Sequence, residues 1–310
     1  MNSRQFIFHI GMPKTATSFL QKNFYPQLDL RYLGKHYDSP IDSKKNDKEI
    51  AEAFKKIFYR QPYQVTDEEY RNIRSLIPKD STTILYSNEE MVGSYKVSFC
   101  NGYQVAHHIK KGFPDAKIIY IFRRQDQFLE SLYRQSLRLG YSLSVKRFLN
   151  YKKGVFRTDA YNTAGSVDLE SFNYLKNLRF YADLFGRENV LFLPYEMLKE
   201  NRQFFLERIC EFMDTEYRDP ISKEQTNIRD NYLLLSLLRI LNTFISKRVQ
   251  NRINDILFIN RIGRLINRIP FDPPFLDSEI RKKILEYYRE SNRKLSTEFH
   301  MDYLERYEYF

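Results

Sequence analysis

The stretch "FIFHIGMPKTATSFLQ" (residues 6–21) constrains the fold more than any other part of the chain. Phe6–Ile10 reads as a short buried strand, and Gly11 and Pro13 then permit a tight turn. Phe19, Leu20 and Phe24 resume on one face of a helix. A strand that stops in such a loop and restarts as a helix can hold an anion, because the first N–H groups of a helix have no carbonyl to bind. Lys14 adds a cation at that place, and Thr15, Thr17 and Ser18 add hydroxyl donors. The plainer alternative is an ordinary turn with a solvated lysine.

Three further apolar runs read as buried parallel strands: "TTILYS" (82–87), "KIIYIF" (117–122) and "NVLFLP" (189–194). Helical spacing follows the last two, with Phe128, Leu129, Leu132, Tyr133 and Leu137 on one face and Leu198, Phe205, Ile209 and Phe212 on another. The alternation predicts a three-layer α/β fold, a central parallel sheet flanked by helices, with its ligand at the C-terminal ends of the strands. Residues 1–225 are expected to form this core and 226–310 a helical region packed on it, with a single domain as the other option. The stretch 151–168 has turn chemistry and no clean period, and reads as a loop or flap.

Charge narrows the partners. Lys and Arg number 50 against 39 Asp and Glu, a net charge of +11 that favours anionic ligands. Between Arg239 and Arg268 seven basic residues (Arg239, Lys247, Arg248, Arg252, Arg261, Arg264 and Arg268) face one acidic residue, Asp255. That run reads as a solvated helical face or as a docking surface for an acidic polymer or an anionic bilayer. Cys100 and Cys210 form no CxxC pair, which argues against a disulfide framework and for a reducing compartment. The run Phe6–Ile10 is too short for a secretory signal, and "YLLLSLLRILNTFI" is cut by Arg239 before it could span a membrane. The expectation is a cytoplasmic protein, peripheral at most on the inner face of the membrane.

The nucleotide-triphosphate loop G-x-x-x-x-G-K-[ST] is the obvious comparison, and it fails. Lys14 follows Pro13, and the upstream glycine is missing. Nor does a later strand end in an acidic residue placed for Mg²⁺, since "KIIYIF" runs into Arg123 and Arg124 and "NVLFLP" ends in Pro194. A nucleotide-dependent kinase on a P-loop scaffold therefore stands as an alternative. A non-enzymatic binder of acidic polymer or nucleic acid ranks behind it, because interleaved aromatic and basic motifs are lacking.

"PKTATSFLQ" resembles the 5′-phosphosulfate loop of sulfotransferases that use 3′-phosphoadenosine 5′-phosphosulfate (PAPS), with Ala16 where that family usually has glycine. Alanine resists positive φ, so the loop is expected to keep an ordinary backbone angle at Ala16. A second resemblance is independent: "KIIYIFRRQDQFLES" places Arg123 and Ser131 eight residues apart, as in the family's 3′-phosphate site, with Arg124 as the alternative register. "LPYEML" (193–198) looks like the family's Tyr-Glu segment, and 227–242 resembles a helical region of bacterial carbohydrate-type members. The resemblance spans roughly residues 5–215.

It implies a P-loop-like fold and sulfuryl transfer from PAPS, leaving 3′,5′-adenosine bisphosphate (PAP), to an acceptor hydroxyl, with no metal. Lys14 would neutralise the departing phosphate. Thr15, Ala16, Thr17 and Ser18 would hold the phosphosulfate, and Arg123 and Ser131 the 3′-phosphate. "ILYSNEEMVG" puts Ser87-Asn88-Glu89 past a strand end, matching a Ser-x-Glu pattern and making Glu89 the leading base. Glu90, His36, His107 and His108 are its rivals, and a glutamate that merely starts a helix is the plain reading. The acceptor is expected on a glycan or glycolipid, with contact to an anionic membrane open and nucleic acid not expected.

Overall fold

The computed structural model describes residues 4–34, 45–77, 83–93, 99, 101–158, 164–217, 231–244, 265–266 and 268–310. Its strands are β1 (Gln5–His9), β2 (Arg31–Gly34), β3 (Thr83–Ser87), β4 (Lys117–Phe122), β5 (Tyr151–Lys152), β6 (Val155–Phe156) and β7 (Val190–Pro194). The helices are α1 (Thr17–Phe19), α2 (Lys45–Phe58), α3 (Asp67–Leu76), α4 (Gly102–Gly112), α5 (Gln125–Arg138), α6 (Val145–Phe148), α7 (Tyr174–Phe185), α8 (Tyr195–Glu200), α9 (Arg202–Met213), α10 (Tyr232–Phe244), α11 (Ser278–Phe299) and α12 (Tyr303–Arg306). They fall into two compact units, Met1–Arg124 with Tyr174–Glu224, and Gln125–Asn173 with Gln225–Phe310.

The first unit holds a parallel five-stranded sheet in the order β2-β3-β1-β4-β7, flanked by helices. Its middle strands are buried on both faces: Ile7, Phe8, Ile118, Ile119 and Ile121 are fully enclosed, which is why they read as unbroken apolar runs. Rings pack against them edge-on, Phe8 meeting Phe54 at 5.9 Å and Tyr86 at 6.2 Å. β2 escapes sequence reading because it is an edge strand of four residues in which only Leu33 is buried. After β7 the helical pattern breaks at Asn201, whose side chain accepts from Phe204 N–H at 3.0 Å and caps α9. That break shifts the buried face to Met197, Phe205, Leu206, Ile209, Cys210 and Met213, leaving Leu198 and Phe212 half-exposed.

The second unit is built on α5, whose predicted face is buried throughout. Four charges tie the C-terminal helix to it. Arg281 reaches Asp126 at 3.0 Å and Glu130 at 3.1 Å, and Arg134 reaches Glu130 at 2.7 Å. Buried deeper, the amides of Gln125 and Asn292 exchange hydrogen bonds at 3.0 and 3.1 Å. The stretch read as a loop instead forms a hairpin at its start, β5 pairing antiparallel with β6. Its two-residue turn, Lys153 (φ 52°) and Gly154 (φ 86°), takes the left-handed angles such a turn needs. Each strand has two residues, too few for an alternation to be visible. Cys100, His36 and the residues between Ile245 and Arg264 lie outside the described residues.

Candidate functional site

Because β1, β3 and β4 are parallel neighbours, their C-terminal ends leave the sheet on one edge. His9 pairs with Ser87 on one side and Ile119 on the other. The β1–β4 ladder continues beyond the strand, with Ile10 N–H and Met12 N–H donating to Ile119 and Ile121 carbonyls at 3.0 Å each. The loop that follows is thus anchored up to Met12.

Past Met12 the backbone turns sharply, with Lys14 at φ 66° and Ala16 at φ 65°. The ordinary angle expected at Ala16 is not what the chain adopts; it stands in the left-handed region. Left-handed angles at alternate residues turn successive N–H groups toward one point, the geometry of an anion-binding nest, and that gain outweighs the steric cost to a Cβ. The Thr15 hydroxyl donates to the Met12 carbonyl at 2.5 Å, and the Thr17 hydroxyl points there at 3.5 Å. Both threonines are buried, so their hydroxyl protons hold the turn. Lys14 is exposed and Ser18 half-exposed, so these two side chains, unlike those of the threonines, reach the surface. Ala16→Gly is expected to raise the unliganded stability by up to about 1 kcal/mol, since glycine takes this angle without penalty. Chemical denaturation reads it directly, and a loss of stability would refute the strain argument.

Arg123 follows β4 and is held from three directions. Its carbonyl accepts from the Tyr174 hydroxyl at 2.6 Å, its guanidinium lies over the Tyr195 ring at 5.0 Å, and its Nη1 donates to the Lys14 carbonyl at 3.4 Å. Lys14 and Arg123, selected from separate motifs, are therefore neighbours. The Tyr-Glu segment serves the same place: Lys199 Nζ also lies over the Tyr195 ring at 5.0 Å, and Glu196 accepts from Arg124 N–H at 3.2 Å. Tyr174 was missed by sequence reading, as nothing distinguishes it from other helix-start tyrosines. Ser131 lies on α5 in the second unit, half-exposed.

Beside the loop, Ser87 ends β3, and Asn88 donates its N–H to the His9 carbonyl at 3.2 Å. The Asn88 side chain accepts from Glu90 N–H at 3.0 Å and caps a single turn, Glu89–Val92. Glu89 thus does start a helical turn, half-exposed, two residues past the partner of His9. Glu90 accepts from the Tyr59 hydroxyl at 2.6 Å. Of the rival histidines, His108 is buried in α4, donating from Nε2 to the Arg60 carbonyl at 2.8 Å and accepting from Tyr70 at 2.5 Å. Burial lowers its pKa. His107 is exposed, with its ring against Phe180 at 5.6 Å.

A buried cluster behind the loop also escaped the sequence reading. His9 Nδ1 lies 2.8 Å from Ser87 Oγ, and Gln21 Nε2 donates to Ser87 Oγ at 3.0 Å and to its carbonyl at 3.2 Å. The cluster ties the helix after the loop to the end of β3. Its signal was a histidine inside an apolar strand and a glutamine on an apolar helix face. Burial pushes the His9 imidazole down from its ordinary 6.5 to about 3. Between those values the unfolded chain binds a proton that the folded chain excludes, so the stability His9 confers is complete above 6.5 and lost as pH falls toward 3. Urea titrations across that window should show a native slope of up to about 1.4 kcal/mol per pH unit that His9→Asn flattens; equal slopes would refute it.

Comparison with known proteins identifies the family. A family model described as "Sulfotransferase family" matches residues 6–219. The crystal structure of a sulfotransferase from Alicyclobacillus acidocaldarius is similar over 96% of this chain and 96% of its own, at 15% identity and a TM-score of 0.50. That likeness shows the α/β fold. The sulfotransferase domain from the curacin biosynthetic pathway is 14% identical over 93% of this chain and 98% of its own, with a TM-score of 0.38. Mouse sulfotransferase SULT7A1, solved in complex with PAP, is 14% identical over 87% and 90%, with a TM-score of 0.33. A comparison with curated proteins gives no match.

Proposed function

Because this chain belongs to the sulfotransferase family, we propose that it moves a sulfuryl group from PAPS to the hydroxyl of an acceptor, a glycan or glycolipid. The observation that carries this reading is the hydrogen bond from Arg123 Nη1 to the Lys14 carbonyl, which makes neighbours of the two family motifs. PAPS supplies the sulfuryl group and a phosphate leaving group. The residues fit such a ligand: an exposed lysine, a backbone at left-handed angles on alternate residues, and an arginine stacked on a tyrosine beside them.

Lys14 neutralises the negative charge that grows on the departing phosphate, and the amides of residues 15–18 with the Ser18 hydroxyl orient the group to be transferred. Arg123 grips the 3′-phosphate. The role of Ser131 rests on its sequence spacing alone. Glu89 takes the proton of the acceptor hydroxyl as its oxygen bonds to sulfur. The glycan acceptor rests on the resemblance of 227–242 to carbohydrate-type members. Among the described residues no helix is long and apolar enough to cross a membrane.

Thermal unfolding with PAP tests the reading. A concentration about 100 times the dissociation constant should stabilise the protein by about 2.7 kcal/mol, equally with and without EDTA. No shift would remove the proposal, and a shift with ATP that EDTA abolishes would replace it with a metal-dependent kinase.

A further inference from the structure

Side chains from both ends of the amino-terminal turn meet on one residue of a neighbouring strand. His9 closes β1 two residues before Gly11, and Gln21 lies in the helix that leaves the turn. The segment around Gln21 is a π-helical turn, Leu20–Phe24, a rare geometry that gathers at functional places. Both side chains end on Ser87: His9 Nδ1 is 2.8 Å from its Oγ, and Gln21 Nε2 reaches the same Oγ at 3.0 Å. Since Gln21 donates to that hydroxyl, the hydroxyl's own proton goes to Nδ1, and the neutral imidazole carries its proton on Nε2. Nε2 is fully buried and has no hydrogen-bond partner among the described residues. It lies against the start of the turn, 2.7 Å from where a Cβ on Gly11 would sit. Gly11 is not in the left-handed region, so its missing side chain makes room for the imidazole. An unmet buried donor costs stability that an apolar residue of similar size would spare. The histidine is therefore better explained by what it does to the turn.

We propose that His9, Ser87 and Gln21 are positioning residues that clasp the two ends of the turn and set it in its anion-binding shape before any ligand arrives. The chain between His9 and Gln21 is closed through a single hydroxyl. Within that span Lys14 and Ala16 hold left-handed angles, φ 66° and 65°, which an unrestrained chain would abandon. The three side chains are at most 3% exposed, so none of them reaches a ligand. They act through the shape of the turn, by removing an ordering cost that binding would otherwise bear. The Tyr25 ring, just past the π-helical turn, meets His9 edge-on at 5.4 Å and braces the imidazole.

Two readouts test this, both taken on folded protein well below its thermal midpoint. One is the Kd of PAP by calorimetry, which rests on the transfer reading. The other is amide hydrogen exchange of residues 14–18 without ligand, which does not. Ser87→Ala removes the shared hydroxyl and should weaken PAP about tenfold and speed exchange in the turn about tenfold. Gln21→Met, which keeps the length and loses the amide, should do the same, as should His9→Leu. His9→Asn keeps an acceptor where Nδ1 stands and should stay within about threefold of the native protein in both. A merely structural cluster would lower the thermal midpoint and move neither readout. Native exchange in the turn of Ser87→Ala and Gln21→Met would overturn the proposal. So would native PAP affinity in those variants, or a His9→Asn protein as impaired as His9→Leu. A native protein that fails to bind PAP would remove the transfer reading alone, since exchange still decides the clasp.

Discussion

Lys14→Ala is expected to lower the turnover of sulfuryl transfer by roughly 10²- to 10³-fold, the usual cost of removing one donor aimed at developing charge. The fold should not suffer, because Lys14 is exposed and its φ of 66° strains alanine and lysine alike. The loss belongs in kcat more than in KM for PAPS, since the charge that Lys14 meets appears as the sulfur–oxygen bond breaks. Steady-state kinetics with the unliganded thermal midpoint as control separates the cases. A variant within about threefold of the native kcat would show that Lys14 only decorates the loop.

Arg123→Ala should act on binding instead. Losing a charge-assisted grip of about 1.5–3 kcal/mol weakens PAP by roughly 10- to 100-fold, and most of the PAP-induced thermal shift should vanish. The same side chain also braces the loop through the Lys14 carbonyl, so the kinetic cost should exceed the binding cost. Arg123→Lys should rescue little, because an ammonium cannot lie flat on Tyr195 and reach the carbonyl and a phosphate together. An unchanged PAP shift in Arg123→Ala would detach this residue from the ligand and take the proposed 3′-phosphate site with it.

Strands buried on both faces were legible because they must be apolar throughout, as "KIIYIF" is. β2 was not, since an edge strand with one buried residue carries no such run. The hairpin at 151–156 was hidden for a similar reason, its strands being too short to alternate. Lys14 was singled out by its place in the turn and Arg123 by the family resemblance, and the structure brings the two together. The angle at Ala16 was misread because propensity speaks for the isolated residue, whereas here the ladder to Met12, the Thr15 hydroxyl and Arg123 together impose the turn. The supports from Tyr174 and Gln21 depend on partners 51 and 66 residues away and leave no local trace.

β1 lies third of five in its sheet, zipped to a neighbour along each side. A strand so placed cannot slip by one residue without breaking two ladders and turning its apolar set to the wrong face. Homologous chains built this way should therefore vary least where the amino-terminal turn begins. Their diversity should gather at the outermost strand, Arg31–Gly34, where length and sequence can drift without disturbing that turn.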